Sequence, residues 1–166
     1  IGIVEVYPQS GCKISLIDYD FVDQSRFLRN TLECAIVKEA CKTFSQDNIL
    51  KLQENTKLQE FYLENHMKDK LLKADNDFHK MLFELTNKME IYSLLKNFDI
   101  HFDRVRNVVI SAVKELKIVE DHKKILEAIA SGDEELAVQT MNKHLNRDKI
   151  DKEELREKYP QYFKES

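Results

Sequence analysis

Five histidines, and an aspartate one helical turn before one of them, are the positions at which this chain could do chemistry. In the stretch KADNDFHKML, Asp75 and His79 stand at i and i+4, so a helix projects both from one side, which also carries Leu71, Leu72, Phe78 and Leu82. His122 falls in the apolar stripe of Ile118, Ile125, Leu126 and Ile129, and His144 in that of Ala137, Met141 and Leu145. Four polar groups from three helices are therefore expected to face inward. Burying a carboxylate without a partner is costly, and a neutral imidazole needs both nitrogens satisfied. One shared divalent cation satisfies all four. A single core histidine is more often satisfied by a carbonyl or a water; the whole set, with the two-ligand edge of Asp75 and His79, points to a metal. Three imidazoles and one carboxylate suit Zn²⁺, Ni²⁺, Mn²⁺ or Fe²⁺, with zinc the default.

Arginines supply a second clue. Arg29 lies in RFLRNTLE, next to the stripe of Leu28 and Leu32, and Arg104 and Arg106 stand in DRVR on a helix that also carries His101. A guanidinium near an apolar face can hold a carboxylate or phosphate by two hydrogen bonds, or it can lie along the surface beside an acidic neighbour. A cation beside such an arginine forms a pocket for a small organic acid. His101 faces inward on its helix and either lines that pocket or is an ordinary core histidine, whereas His66, in ENHM between two helices, reads as a solvated surface residue.

The elements that must position these groups are helical. Three glycines and two prolines in 166 residues leave too few turn-formers for a sandwich or a barrel. Residues 1–17 alternate around PQSG and read as a short β-hairpin. From Asp18 the period becomes helical, with Phe21, Leu28, Leu32, Ile36, Val37 and Ala40 in one stripe to about Phe44. Ser45 caps a second helix carrying Ile49, Leu52, Leu58, Phe61 and Tyr62; a third runs from about Lys68 to Thr86, with Asn87 as its stop. A fourth spans roughly Met89 to Ser111, with Leu94, Leu95, Phe98, His101, Val105 and Val108 inward. The next stripe begins near Leu116 and ends at Ser131-Gly132-Asp133, where Gly132 suits a left-handed cap and Asp133 caps the helix that runs on to about Arg147. A charged piece follows before Pro160. The expected fold is all-α, an antiparallel bundle of six to seven helices preceded by the hairpin.

With 26 basic against 30 acidic side chains the net charge is -4, which gives this chain no concentrated basic face for nucleic acid. No apolar run is long enough to cross a bilayer and no basic-then-apolar leader is present, so the expectation is a soluble, cytoplasmic protein without membrane contact. Cys12, Cys34 and Cys41, without CxxC spacing, read as buried reduced thiols.

The stretches ADNDFHKML, DRVRNVVIS and EDHKKILEAIASGDEELAVQTMNKHL, with their Asp-x-x-x-His pair and two later histidines, resemble the C-terminal effector-binding domain of GntR-superfamily transcription regulators of the FadR type, the FCD domain. The resemblance runs from about Asp18 to Leu145, and VYPQSGCKISLID is similar to the end of the winged-helix wing and its linker. It implies that residues 1–17 are a remnant of the DNA-binding domain and 18–166 a helical effector-binding and dimerisation domain. It further implies a metal held by Asp75, His79, His122 and His144, a small carboxylate effector completing the coordination, and Arg29, His101, Arg104 and Arg106 as effector contacts. DNA would be bound only through the missing N-terminal domain, by a homodimer whose geometry the effector alters. The rival reading is a metal-dependent hydrolase or other metalloenzyme, against which no HExxH, nucleophile elbow or Cys/His pairing is visible. A purely structural helical adaptor would leave the inward Asp75 unexplained.

Overall fold

A computed structural model describes residues 4–7, 11–109, 112–146 and 157–164. The opening alternation forms β1 (Val4–Tyr7) and β2 (Gly11–Ile14), antiparallel with Val4 opposite Ile14 and Tyr7 opposite Gly11. Gly11 takes φ +95°, a region open to a residue without Cβ. The rest of the turn, residues 8–10, lies outside the described residues.

Among the described residues the hairpin is followed by the α-helices α1 (Tyr19–Thr43), α2 (Gln46–Glu64), α3 (Lys68–Leu85), α4 (Met89–Val109), α5 (Ala112–Ser131) and α6 (Glu134–Asn146). Local chemistry sets their ends. The Asp18 carboxylate accepts from the amides of Asp20 and Phe21, and the Ser45 hydroxyl from that of Asn48, so each satisfies helix-start donors that have no intrahelical partner. His66 and Asn87 both adopt positive φ, at 54° and 59°. The amides that follow them bond back across the turn, Met67 to Tyr62 O at 2.8 Å and Lys88 to Phe83 O at 2.7 Å, which closes the helix C-termini. Gly132, with φ 71°, ends α5, and the Asp133 carboxylate accepts from Leu136 N at 2.9 Å to start α6. All three reversals fall where the sequence puts them, and His66 is exposed as expected.

The all-α expectation holds. Helix α1 packs against α4, α5 and α6, while α2 lies against α3 and α5. The main core joins Val37, Leu52, Phe78, Leu82, Phe83, Ile125, Ala137 and Met141. Each such large side chain contributes roughly 1.5–3 kcal/mol on leaving water. Among the described residues no helix is long and apolar enough to cross a membrane.

The structure departs from the sequence reading in five places. On α4, Leu94 is 62% and Phe98 43% exposed, while Leu95, Asp99, Phe102 and Val105 point inward. The helix carries two overlapping apolar stripes, and it is the second that packs, with the Ser25 hydroxyl of α1 donating to Phe98 O at 2.6 Å. Leu58 and Phe61 of α2 are likewise exposed. Helix α5 begins at Ala112, before its apolar stripe does. The end of the chain is not merely charged: Pro160–Tyr162 forms a 3-10 turn and Phe163 is buried against Tyr19, ring centroids 4.8 Å apart. Ile17 N donates to Tyr162 O at 2.7 Å and Lys164 N to Ile17 O at 3.0 Å, closing a second small core of Ile17, Val22, Phe102, Val105 and Phe163. Of the cysteines expected to be buried, Cys34 and Cys41 are half-buried and Cys12 is exposed; burial pushes the Cys34 thiol up to about 11.

Candidate metal centre

Asp75 and His79 project from α3, His122 from α5 and His144 from α6. Each offers one donor atom, and the four atoms lie within 4.8 Å of one another. His144 Nε2 is 3.2 Å from His79 Nε2 and 3.3 Å from His122 Nε2. Asp75 Oδ1 is 3.6 Å from His122 Nε2 and 4.0 Å from His79 Nε2. Bonds of about 2.0–2.1 Å to one tetrahedral ion set adjacent donors roughly 3.3 Å apart, the spacing seen here between the imidazoles. All four side chains are buried, His144 to 7% exposure. The four positions singled out in the sequence are thus brought together from three helices.

Proton positions follow from the outer partners of the rings. The Gln59 amide nitrogen donates to Asn55 Oδ1 at 2.6 Å and to Ala74 O at 3.4 Å, so its oxygen is left to accept from His122 Nδ1 at 2.8 Å. His79 Nδ1 donates to Glu33 Oε2, a carboxylate that can only accept. Both rings therefore carry their hydrogen on Nδ1 and turn an Nε2 lone pair to the centre. Burial holds both pKa values below the usual histidine range, so neither gains a second proton near neutrality. His144 has Asp121 Oδ2 3.6 Å from its Nδ1. Its Nε2 lies between two lone pairs and could donate a single hydrogen to only one of them. Two or three imidazole lone pairs thus converge beside the Asp75 carboxylate with at most one proton among the three Nε2 atoms, an arrangement that a divalent cation satisfies. The donor set fits the metal that the sequence suggests.

Glu33 links this centre to Arg29. The guanidinium donates through Nε to Glu33 Oε1 at 2.7 Å, and its carbon lies 5.7 Å from the centre of the Phe102 ring. Burial alone would raise the Glu33 pKa, but the His79 ring and the permanent Arg29 charge hold it down to about 2. Arg29 also borders a cavity between α1, α3 and α4, with Asn76, His79, Tyr92, Lys96 and Asp99. Of the other expected effector contacts, Arg104 is not brought there: its Nη2 donates to Ser15 O at 2.8 Å, against the chain leading into α1. The side chains of His101 and Arg106 lie outside the described residues. Sequence reasoning missed Glu33, Gln59, Asp99 and Asp121. Only Glu33, four residues after Arg29, had a visible signal.

Comparison with known proteins bears on the whole chain. A family model described as FCD domain matches residues 25–147. The chain is similar to the HTH-type transcriptional repressor RspR of Escherichia coli (strain K12), 22% identical over 165 residues, covering 99% of this chain and 72% of that protein. It is also similar to an uncharacterized HTH-type transcriptional regulator in an unstable DNA locus of Streptomyces ambofaciens, 26% identical over 171 residues, covering 98% and 68%. Among solved structures, E. coli McbR/YncC matches with a TM-score of 0.76 at 14% identity over 96% of this chain and 78% of that one. Streptococcus agalactiae GntR matches with a TM-score of 0.64 at 23% identity over 87% and 72%. These two likenesses speak to the fold. The chain belongs to the FCD domain family, the regulatory domain of GntR-type transcription regulators, and not to a family of enzymes.

Proposed function

We propose that this domain senses a small organic or sugar acid through a divalent cation held by Asp75, His79, His122 and His144, and passes the signal to DNA as a change in the geometry of a homodimer. The observation that carries the reading is the convergence of three imidazole Nε2 atoms beside the Asp75 carboxylate, with at most one proton among the three. When bound, the cation supplies a fixed positive charge for an effector carboxylate, zinc being the default occupant. Glu33 and Gln59 hold the His79 and His122 rings in the tautomer that ligation needs. Arg29 offers the remaining edge of its guanidinium to the cavity while Glu33 fixes its near edge. Residues 1–17 belong, in this reading, to the wing and linker of a DNA-binding domain, and the protein acts in the cytoplasm. An effector shifts the dimer only if it binds two arrangements with unequal affinity.

Melting zinc-loaded and chelator-stripped chain with a panel of small carboxylates tests the reading. Effectors should raise the melting temperature of the loaded form alone, by an amount that grows with concentration. An equal rise in the stripped form would contradict it.

A further inference from the structure

The cavity beside the metal centre contains a group that carboxylate capture does not use. Asp99, on α4, is only 3% exposed, borders the cavity, and its Oδ1 has no hydrogen-bond partner. Two cations line the same space, yet neither satisfies it. Arg29 is turned to Glu33 at 2.7 Å, and Lys96 is drawn outward to Asp103 at 2.6 Å. A buried acceptor left open in this way is costly, and it is answered by whatever donor enters the cavity. The enclosed space is about 10 Å³, room for a single water, so a larger guest must displace side chains. Its outer wall is made by Tyr92 and Lys96, one turn apart and both half-buried, which can move without the backbone.

We infer that Asp99 determines specificity by accepting a hydrogen bond from a hydroxyl or ammonium group of the effector, so that the domain senses a hydroxy or amino acid and discriminates against the plain acid of the same skeleton. This rests on the acid-sensing reading above and adds to it the second group that the effector must carry. The cavity then presents opposite demands at two ends: cationic where the carboxylate binds and anionic where the donor binds. A site built to pair with a donor rejects an analogue lacking it more strongly than an apolar pocket rejects a change of size.

The test is calorimetric titration of the zinc-loaded chain with two matched series: succinate, malate and aspartate; and propionate, lactate and alanine. In at least one series the hydroxyl or ammonium member should bind about tenfold or more tighter than the plain acid. Asp99→Ala should abolish that preference. It should melt no lower than the wild type, since it removes a buried carboxylate with an unpartnered oxygen. The isosteric Asp99→Asn distinguishes the two donors: its amide oxygen still accepts from a hydroxyl, so a preference for malate or lactate survives in part, whereas one for aspartate or alanine collapses. Equal binding of plain and substituted acids by the wild type, or a preference that survives Asp99→Ala, would overturn the inference and leave acid sensing standing. Failure of all six acids to bind would overturn both.

Discussion

Glu33 and Asp99 are two carboxylates buried along the same cavity, and their surroundings push them in opposite directions. Glu33 touches Arg29 and His79 and is held down to about 2, whereas burial pushes Asp99 up to about 6, the Arg29 and Lys96 charges offsetting it only in part. The unfolded Asp99 releases its proton near 3.8 and the folded one near 6, so folding retains a proton between those values and stability falls as pH rises through that window. Asp99→Asn should remove this component. Between about pH 4.5 and about pH 6.5 the variant should gain on the order of 2 kcal/mol relative to the wild type in urea unfolding, a comparison that cancels the carboxylates the two proteins share. A pH-independent difference would contradict the assignment. At the acid end the sign reverses: the stabilisation from the Glu33 pair is complete above 4.5 and is lost as pH falls towards 2. The four donors could be recognised from sequence because each is a polar residue in an apolar stripe, and Asp75 and His79 share a helix face. Gln59 and Asp99 could not, because their burial depends on how α2 and α4 are rolled against their neighbours.

At the scale of elements, caps were readable and faces less so. Ser45, Asn87, Gly132 and Asp133 act through their own side chain or φ, so their effect is local and survives transfer from sequence to structure. Helix α4 shows the opposite case, since its two apolar stripes differ by a small roll and only contacts with α1 and with Phe163 decide between them. The segment carrying Phe163 was unreadable for a related reason. A single aromatic among charged residues has no period, and its place against Ile17, Tyr19 and Phe102 comes from residues far away in the chain. Phe163→Ala should therefore cost about 3–5 kcal/mol in denaturant unfolding, the range for emptying a buried phenylalanine site. It should loosen the junction between the hairpin and α1, read as faster amide exchange at Ile17, whose N–H is held by Tyr162. Unchanged stability and exchange would mean that the segment does not hold the junction.

For the whole molecule, the bundle brings α1, α3, α5 and α6 around one point, and the cavity beside it joins the helix that starts after the hairpin to the helix that meets the chain's end. A ligand there bears on α1 and on the hairpin that precedes it, which we propose to be the end of a DNA-binding domain, and this is the physical basis for reading the fold as a sensor. All of this depends on the cation. Elemental analysis of the chain, purified without chelator or a nickel column, beside a variant carrying His79→Ala and His144→Ala, tests that dependence most directly. The account predicts about one divalent ion per native chain and essentially none in the variant. Native chain without metal, or a variant that retains it, would contradict the proposed centre.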